Sequence, residues 1–284
     1  MMLFESHKYL RNHIENQLDA SKSIGFVPTM GALHDGHIAL MDRALSDNDF
    51  LIVSIFVNPT QFNNPEDLDK YPRILEQDLE LMKSRLDSDR FLVYAPTVED
   101  VYGHNTASKT YNFDGLENVM EGEKRPGHFN GVGTVLQFLF KVVQPDNAYF
   151  GEKDFQQLQI IKKLVTSLNL DIKIIGCPIH REKSGLAMSS RNARLSRDGL
   201  EKAAQIYQIL QKAKTSFKTH TVPETLNFVT DQIKSVSEFT LEYFTIADEN
   251  SLQTATEKNP SYTYRGFIVV HLEGVRLIDN ILLD

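Results

Sequence analysis

Two histidines three residues apart, His34 and His37, are the side chains of this sequence best suited to chemistry. They close the stretch Pro-Thr-Met-Gly-Ala-Leu-His-Asp-Gly-His at 28–37, whose small residues let a ligand approach the backbone closely. The apolar run 23–27 predicts a buried strand before it, and the apolar spacing over 38–45 predicts a helix after it. A helix start offers unpaired N–H groups to a phosphate, and an imidazole can bind a phosphate oxygen or donate a proton to it. The stretch therefore predicts an ATP site.

A second polar group follows the strand predicted over 50–57, where Asn58-Pro59 turns the chain and Gln61 comes next. An Asn-Pro pair alone indicates only a turn. A glutamine amide, however, provides both a donor and an acceptor, which suits a ligand that carries hydroxyl and carboxylate groups. Because this turn also follows a strand, we expect it to lie beside the histidine stretch.

A third polar group follows the strand predicted over 147–150 and opens the helix predicted over 155–168. Lys153 can reach phosphate oxygens as a point charge. Asp154 can accept hydrogen bonds from ribose hydroxyls, and Gln157 faces the same side one turn later. The alternative is a charged helix start capped by Asp154, which leaves Lys153 and Gln157 without a role.

Further charged segments are less specific. The run 188–191 places two serine hydroxyls before an arginine, an arrangement that can clamp the β- and γ-phosphates, although such runs are common in loops. Arg125 and His128 precede a glycine-rich start of the helix predicted over 132–143, which could face an anion. The mixed charges of 67–73 are equally well explained as a solvated helix start.

Apolar strands alternate with helices through the first part of the chain, a pattern typical of a parallel sheet covered on both faces. Strands are predicted over 23–27, 50–57, 90–94, 147–150 and 171–175, and helices over 38–45, 74–86, 132–143 and 155–168. Ligands bind such sheets beyond the carboxyl ends of the strands, where the three polar groups above lie. A boundary near 178–182 separates a smaller unit with helices over 196–217 and 223–236, strands over 241–246, 267–272 and 277–283, and a polar connection over 249–264.

Composition excludes several classes of function. The chain of 284 residues is 41% hydrophobic and 24% charged, as in soluble globular proteins. Its net charge of −8 and its lack of a basic block argue against nucleic-acid binding. No apolar run reaches the roughly 18 to 20 residues of a membrane span, and the single cysteine, Cys177, lies in an apolar run and is expected in the core. A cytoplasmic protein that acts on small molecules is predicted, without the motifs of dinucleotide-dependent dehydrogenases, P-loop kinases or zinc enzymes.

Taken together, these segments resemble the pantothenate synthetase (pantoate–β-alanine ligase) family from residue 24 to about 280. The resemblance is carried by the stretch 28–37, by Gly-Glu-Lys-Asp-Phe-Gln-Gln-Leu at 151–158, by Ala-Met-Ser-Ser-Arg-Asn at 187–192, and by the ending Val-Arg-Leu-Ile-Asp-Asn at 275–280. It implies a nucleotidyltransferase-type Rossmann domain over 1–179 that binds ATP and pantoate. A small C-terminal α/β domain over 180–284 is expected to contribute a lid and phosphate contacts.

The resemblance also implies an activity. Pantoate and β-alanine would be joined to pantothenate, with release of AMP and pyrophosphate, through a pantoyl adenylate in the biosynthesis of coenzyme A. Dependence on ATP and Mg²⁺ and a homodimer are expected, and no Mg²⁺ ligand is assigned. The segments 67–73 and 184–191 are candidates for a lid that keeps water from the adenylate.

Roles for individual residues follow from the same resemblance. The catalytic residues would be His37, His34, Lys153 and Arg191. ATP would be bound by Met30, Gly31, Ala32, Leu33, His34, Asp35, Gly36, His37, Gly151, Glu152, Lys153, Asp154, His180, Met188, Ser189, Ser190 and Arg191. Pantoate and β-alanine would be bound by Asn58, Gln61 and Gln157.

Two positions depart from the family pattern. His180 stands where an apolar residue is usual, and Ser184 where aspartate is usual. A backbone contact with the adenine at position 180 would survive the change, although nucleotide affinity could differ.

Two alternative functions remain open at this point. One is another nucleotidyltransferase with the His-x-Gly-His loop that acts on a small carboxylate, although a tRNA synthetase would need a lysine-rich signature and a basic surface. The other is an inactive nucleotide-binding protein, which the presence of His34, His37, Lys153 and Arg191 disfavours. AMP formation with ATP, pantoate and β-alanine together separates these possibilities.

Overall fold

The computed structural model describes residues 1–87 and 89–283, and the chain divides into two compact units. The first unit comprises Met1–Glu152 and Gln157–Cys177. The second comprises Pro178–Asp284 together with the short segment Lys153–Gln156.

The first unit is built on a six-stranded parallel sheet with the strand order β1-β4-β3-β2-β5-β6. Its strands are β1 (Met2–Phe4), β2 (Ile24–Thr29), β3 (Phe50–Ile55), β4 (Phe91–Tyr94), β5 (Asn147–Gly151) and β6 (Lys173–Cys177). Its helices are α1 (His7–Gln17), α2 (Asp35–Asp47), α3 (Pro65–Asp69), α4 (Leu75–Arg85), α5 (Val98–Tyr102), α6 (Met120–Lys124), α7 (His128–Val143) and α8 (Phe155–Ser167), the last of which begins in the segment grouped with the second unit. The predicted Rossmann-like fold class is thereby confirmed.

The central strands are mostly apolar because helices cover both faces of the sheet. On one face Val27 and Val53 pack with Met41 of α2 and Met82 of α4. On the other face Phe26 makes an edge-to-face contact with Phe140 of α7. Cys177 is buried in the first of these clusters, as predicted, and burial raises the pKa of its thiol.

Five elements of this unit were not predicted, namely β1, α1 and the short helices α3, α5 and α6. The strand β1 has only three residues and is mostly exposed, and α1 buries only Leu10 among mainly polar residues, so neither shows a clear apolar period. The helix α7 also begins at His128, four residues earlier than predicted, because Gly131 and Gly133 near its start mask the apolar period.

The second unit pairs three helices with an antiparallel sheet in the order β7-β8-β9. These elements are α9 (Arg197–Ala203), α10 (Gln205–Thr219), α11 (Val222–Lys234), β7 (Thr240–Asp248), β8 (Tyr264–Leu272) and β9 (Val275–Leu282). The single helix predicted over 196–217 is in fact two helices that meet at Ala204. Ala204 keeps helical dihedral angles (φ −61°, ψ −23°), and no glycine or proline marks the break in the sequence.

None of the helices in residues 1–87 and 89–283 is long and apolar enough to cross a membrane.

Candidate active site

The strand order creates a switch point at β2. From β2 the chain continues to β3 on one side, whereas β5 pairs with β2 on the other side. Open parallel sheets bind ligands at such a reversal, beyond the carboxyl ends of the strands. The histidine stretch leaves the end of β2 at this point.

Hydrogen bonds from backbone N–H groups orient both histidine rings at the start of α2. His34 is the N-cap residue, and its Nδ1 accepts a hydrogen bond from the Gly36 N–H at 3.2 Å. The His34 N–H donates in turn to His37 Nδ1 at 3.3 Å, and the ring centroids lie 4.1 Å apart. Since both Nδ1 atoms accept backbone N–H groups, the neutral rings carry their protons on Nε2. The pair therefore offers two Nε2–H donors beside the helix N-terminus.

The turn before the histidines is held by a buried carboxylate that sequence reasoning missed. Asp78 of α4 is 2% exposed, and its two oxygens accept the N–H groups of Ala32 at 2.9 Å and Leu33 at 2.7 Å. Gly31 and Ala32 both have positive φ, and a Cβ on Gly31 would lie 2.9 Å from Asp78 Oδ2. The close approach of this carboxylate thus requires glycine at position 31.

Burial raises the pKa of the Asp78 carboxyl, and the two N–H donors oppose that rise. The sequence did contain a signal for this residue. Asp78 stands on the apolar side of α4, four residues before the buried Met82, where a charge is costly without partners.

The turn after β3 is organised around Asn58, which is 1% exposed. Asn58 Nδ2 donates to Gln61 Oε1 and to the Gly131 carbonyl, both at 3.1 Å, while its Oδ1 accepts the Tyr102 hydroxyl at 2.5 Å. Gly131 allows α7 to approach, because a Cβ there would collide with the Thr60 carbonyl oxygen. Asn58 is therefore buried and hydrogen-bonded within the protein, and it orients the Gln61 amide; its contact with substrate stays a prediction.

Gln61 also joins this turn to the histidine stretch. Its Oε1 is engaged by Asn58, so Nε2 is the donor end of the amide, and Nε2 lies 3.0 Å from Met30 Sδ. The main-chain carbonyl of Gln61 accepts from His128 Nδ1 at 2.8 Å and from an Arg125 Nη2–H at 3.3 Å. The basic pair expected to face an anion thus binds the backbone of this turn.

The remaining predicted residues of the first unit lie at strand ends and helix starts. Asp35 is exposed in the first turn of α2 and pairs with Arg85 at 2.8 Å. Gly151 ends β5 opposite Cys177, Glu152 follows it, and Gln157 is half-buried in the first turn of α8.

In the second unit, Lys153 and Asp154 lie in a 3-10 turn. The Lys153 side chain is 19% exposed, and its Nζ is 3.9 Å from Asp154 Oδ2. His180 is exposed, and its carbonyl oxygen accepts a hydrogen bond from the Met188 N–H at 3.1 Å. This bond closes a hairpin over 180–188.

The serine–arginine run follows this hairpin directly. Ser189 caps the 3-10 helix Ser190–Arg194, and its Oγ accepts the Arg191 N–H at 3.3 Å. This bond fixes the turn that carries Ser190 and Arg191, while the Ser189 hydroxyl hydrogen can still point to a ligand.

Comparison with known proteins identifies the family of this chain. The model of the family described as pantoate–beta-alanine ligase matches residues 2–282. The chain belongs to the pantoate–β-alanine ligase family. It is 53% identical to the pantothenate synthetase of Flavobacterium psychrophilum and 51% identical to that of Christiangramia forsetii, over 100% of each chain. The family predicted from the sequence is confirmed.

Solved ligases of this family share the fold. A pantothenate synthetase from Thermus thermophilus is 37% identical and superposes with a TM-score of 0.90, covering 100% of this chain and 99% of its own. The pantoate–β-alanine ligase of Francisella tularensis, solved with "beta-gamma ATP" and β-alanine, is 38% identical with a TM-score of 0.82, over 100% of this chain and 98% of that one.

The described residues of this chain give no support for a metal site built only from protein side chains. Across residues 1–87 and 89–283 no three His, Cys, Asp or Glu side chains lie together as a metal site. Mg²⁺ can still be held mainly by nucleotide phosphates and water, which needs few protein carboxylates.

Proposed function

We propose that this chain, which ligates pantoate and β-alanine to pantothenate, does so through an adenylate. A pantoate carboxylate oxygen attacks the α-phosphorus of ATP, and the bond to pyrophosphate breaks. The β-alanine amine then attacks the acyl carbon of pantoyl adenylate, loses a proton and displaces AMP. No protein nucleophile is needed, so catalysis rests on positioning and on stabilising charge at the phosphates.

The observation that carries this proposal is the locked histidine pair at the switch point. With both Nδ1 atoms engaged by backbone N–H groups, His34 and His37 present Nε2–H donors in a fixed direction. Such donors bind the phosphate oxygens of ATP and stabilise the charge that develops when the α-phosphorus is attacked. Residues 30–36 and the N-terminal turn of α2 complete this part of the proposed ATP site.

Cationic side chains of the second unit complete the proposed set of phosphate contacts. Lys153 and Arg191, helped by Ser189 and Ser190, neutralise the triphosphate and the departing pyrophosphate. Asp154 binds ribose, with Gly151 and Glu152 beside it in the chain. The backbone of His180 and Met188 contacts the adenine, and the second lone pair of the His180 carbonyl stays available for this.

In this proposal the Gln61 side chain binds pantoate. Because Asn58 occupies its Oε1, the Gln61 amide presents Nε2–H as a donor, which matches a carboxylate or hydroxyl oxygen of pantoate. Gln157 supplies a second amide, and Asn58, which orients the Gln61 amide, belongs to the same proposed substrate site.

ATP would be used as its magnesium complex, in which Mg²⁺ would neutralise phosphate charge, and no protein ligand is assigned to the ion. The domain roles, 1–179 for ATP and pantoate and 180–284 for a lid and phosphate contacts, are part of the same proposal. A homodimer and a cytoplasmic location are also part of this proposal. Sedimentation tests the first and cell fractionation tests the second.

The reaction itself is tested by AMP release with ATP, Mg²⁺, pantoate and β-alanine. AMP and pantothenate should form in equal amounts, and omission of β-alanine should leave one equivalent of bound pantoyl adenylate. AMP release that does not depend on pantoate would contradict the proposal.

A further inference from the structure

The last strand, β9, carries two adjacent buried polar residues, Asp279 and Asn280, that the proposed chemistry does not use. Adjacent residues of a strand point to opposite faces of the sheet. Each of the two binds a different segment of the second unit.

Asn280, 2% exposed, connects the sheet to the backbone of Lys153. Its Nδ2 donates to the Lys153 carbonyl oxygen at 3.0 Å, and its Oδ1 accepts from Arg265 Nη1 at 2.6 Å. The Arg265 guanidinium also binds Glu249 Oε1 at 2.6 Å and lies 4.0 Å above the ring of Phe155. The amide is therefore held from one side by a fixed cation and donates from the other side to the turn that bears Lys153.

The aromatic contact reinforces this arrangement. Phe267 lies opposite Asn280 in the β8–β9 ladder, and its ring centroid is 6.0 Å from that of Phe155. One face of the sheet thus holds the segment Lys153–Gln156 by a hydrogen bond and by ring packing. A 3-10 turn of three residues has few internal bonds of its own to fix a side chain.

Asp279 holds a second segment on the other face. Its carboxylate forms a bidentate ion pair with Arg181, with Nη1–Oδ2 at 2.7 Å and Nη2–Oδ1 at 2.9 Å. The Asp279 side chain is only 4% exposed. The same guanidinium donates to the Gly185 carbonyl at 3.1 Å and lies 3.7 Å above the ring of Tyr207. Arg181 therefore connects the turn of the hairpin 180–188 to β9, and this hairpin leads directly into Ser189 and Arg191.

We propose that Asp279 and Asn280 are positioning residues for ligation: Asn280 places Lys153, and Asp279 places the hairpin that leads into the serine–arginine run. This inference rests on the proposed roles of Lys153 and Arg191. The two residues act through their neighbours and not on the substrates.

The variant Asn280→Asp tests the first contact. The new carboxylate keeps an acceptor for Arg265 but loses the donor to the Lys153 carbonyl and faces that oxygen with a negative charge. We expect adenylate formation to slow by about tenfold or more, while supplied pantoyl adenylate reacts with β-alanine within about threefold of the normal rate. The variant Asn280→Ala, which adds no charge, should show the same split, and circular dichroism should report a folded chain for both. Equal slowing of the two half-reactions in both variants would overturn the inference.

A double-mutant cycle tests whether Asn280 acts through Lys153. If it does, Asn280→Asp should slow adenylate formation by no more than about twofold in a chain that already carries Lys153→Ala. A full, multiplicative loss in that background would overturn the inference.

The variant Asp279→Asn tests the second contact. It replaces one oxygen of the ion pair by an amide NH₂ that faces the Arg181 guanidinium. The KM for ATP should rise by about fivefold or more, with a smaller effect on kcat, because the hairpin precedes the phosphate contacts. An unchanged KM for ATP in the folded variant would overturn this half of the inference.

Glu242→Gln is the matched control on the same sheet. Glu242 of β7 binds His271 of β8 and Arg276 of β9 and holds no segment proposed to bind ATP. Both half-reactions should stay within about twofold of the wild type. If this variant slowed adenylate formation as much as Asn280→Asp, general loosening of the sheet would explain the effect and the inference would fall. A wild-type chain that made no pantothenate would overturn the proposed function as well, whereas an active wild type with unimpaired variants would overturn this inference alone.

Discussion

The Asp78 carboxylate makes a specific prediction about how the histidine stretch is held. In Asp78→Asn, one oxygen still accepts a backbone N–H, but the new NH₂ group faces the other N–H donor. The loss is one charge-assisted hydrogen bond to Ala32 or Leu33. A hydrogen bond to a charged group contributes about 1.5 to 3 kcal/mol, so the ordered turn should become less favoured by about that amount.

The effect on rate follows from the position of this turn. Ala32 and Leu33 directly precede His34, so a disordered turn releases both imidazoles from their fixed direction. Since about 1.4 kcal/mol corresponds to a factor of ten, kcat for AMP release should fall by roughly 10- to 100-fold. The melting temperature should change much less, because removing the buried charge also relieves its desolvation.

The pH dependence of stability gives an independent check on the same carboxylate. The folded-state pKa of Asp78 is raised above its usual 3.8, so the wild type loses stability as the pH rises from 3.8 through that higher value. The free energy of unfolding of Asp78→Asn relative to wild type should therefore improve over that range.

The control for this prediction is Glu80→Gln, an exposed position of the same helix, which should leave both kcat and stability unchanged. The reasoning is refuted if Asp78→Asn keeps full kcat, or if its activity is lost only in step with unfolding measured by circular dichroism.

Three other predictions concern the site and the second unit. His37→Ala should lower turnover by roughly 10²- to 10⁴-fold with unchanged circular dichroism, and a fall of less than about threefold in kcat/KM would remove His37 from the chemical step. Gln157→Ala should raise the KM for pantoate about tenfold while calorimetry without pantoate shows ATP binding within about twofold; loss of ATP affinity with an unchanged KM for pantoate would contradict its assignment. The hydrogen bonds from Arg276, then from His271, lower the pKa of Glu242 from 4.5 to about 2, so its contribution to stability is present above pH 4.5 and is lost as the pH falls through about 2. Urea unfolding should show the stability difference between wild type and Glu242→Gln shrinking over that range, and a constant difference would exclude the ion pair as its source.

The fold could be predicted from the sequence where one physical rule dominates. Strands of a covered parallel sheet contain apolar runs, so the sequence predicts β2 to β6, and the polar groups that follow Val27 and Phe150 flank the switch point as expected. The rule fails where burial is slight, as in β1, or where one helix follows another without a glycine or proline between them, as at Ala204.

The histidines could be predicted from local sequence, whereas the residues that hold the turns of the site could not. His34 and His37 could be predicted because their arrangement is local, set by a strand end and a helix cap within a few residues. Asp78 lies 46 residues from Ala32, and Asn280 lies 127 residues from Lys153. No periodicity links such partners.

These distant partners have one feature in common that the sequence does reveal. Asp78, Asp279 and Asn280 are polar residues buried within a helix or strand; Asp78 and Asn280 bind the backbone of a turn, and Asp279 binds Arg181 of the hairpin 180–188. A buried polar group is costly unless it is satisfied, so its presence implies a specific partner even when the partner cannot be named. The turns that carry the proposed chemistry are short and have few bonds of their own, which makes them the groups most in need of such partners. An out-of-pattern polar residue in a regular element is therefore a sequence signal for the support of a site, as a histidine pair at a strand end is a signal for the site itself.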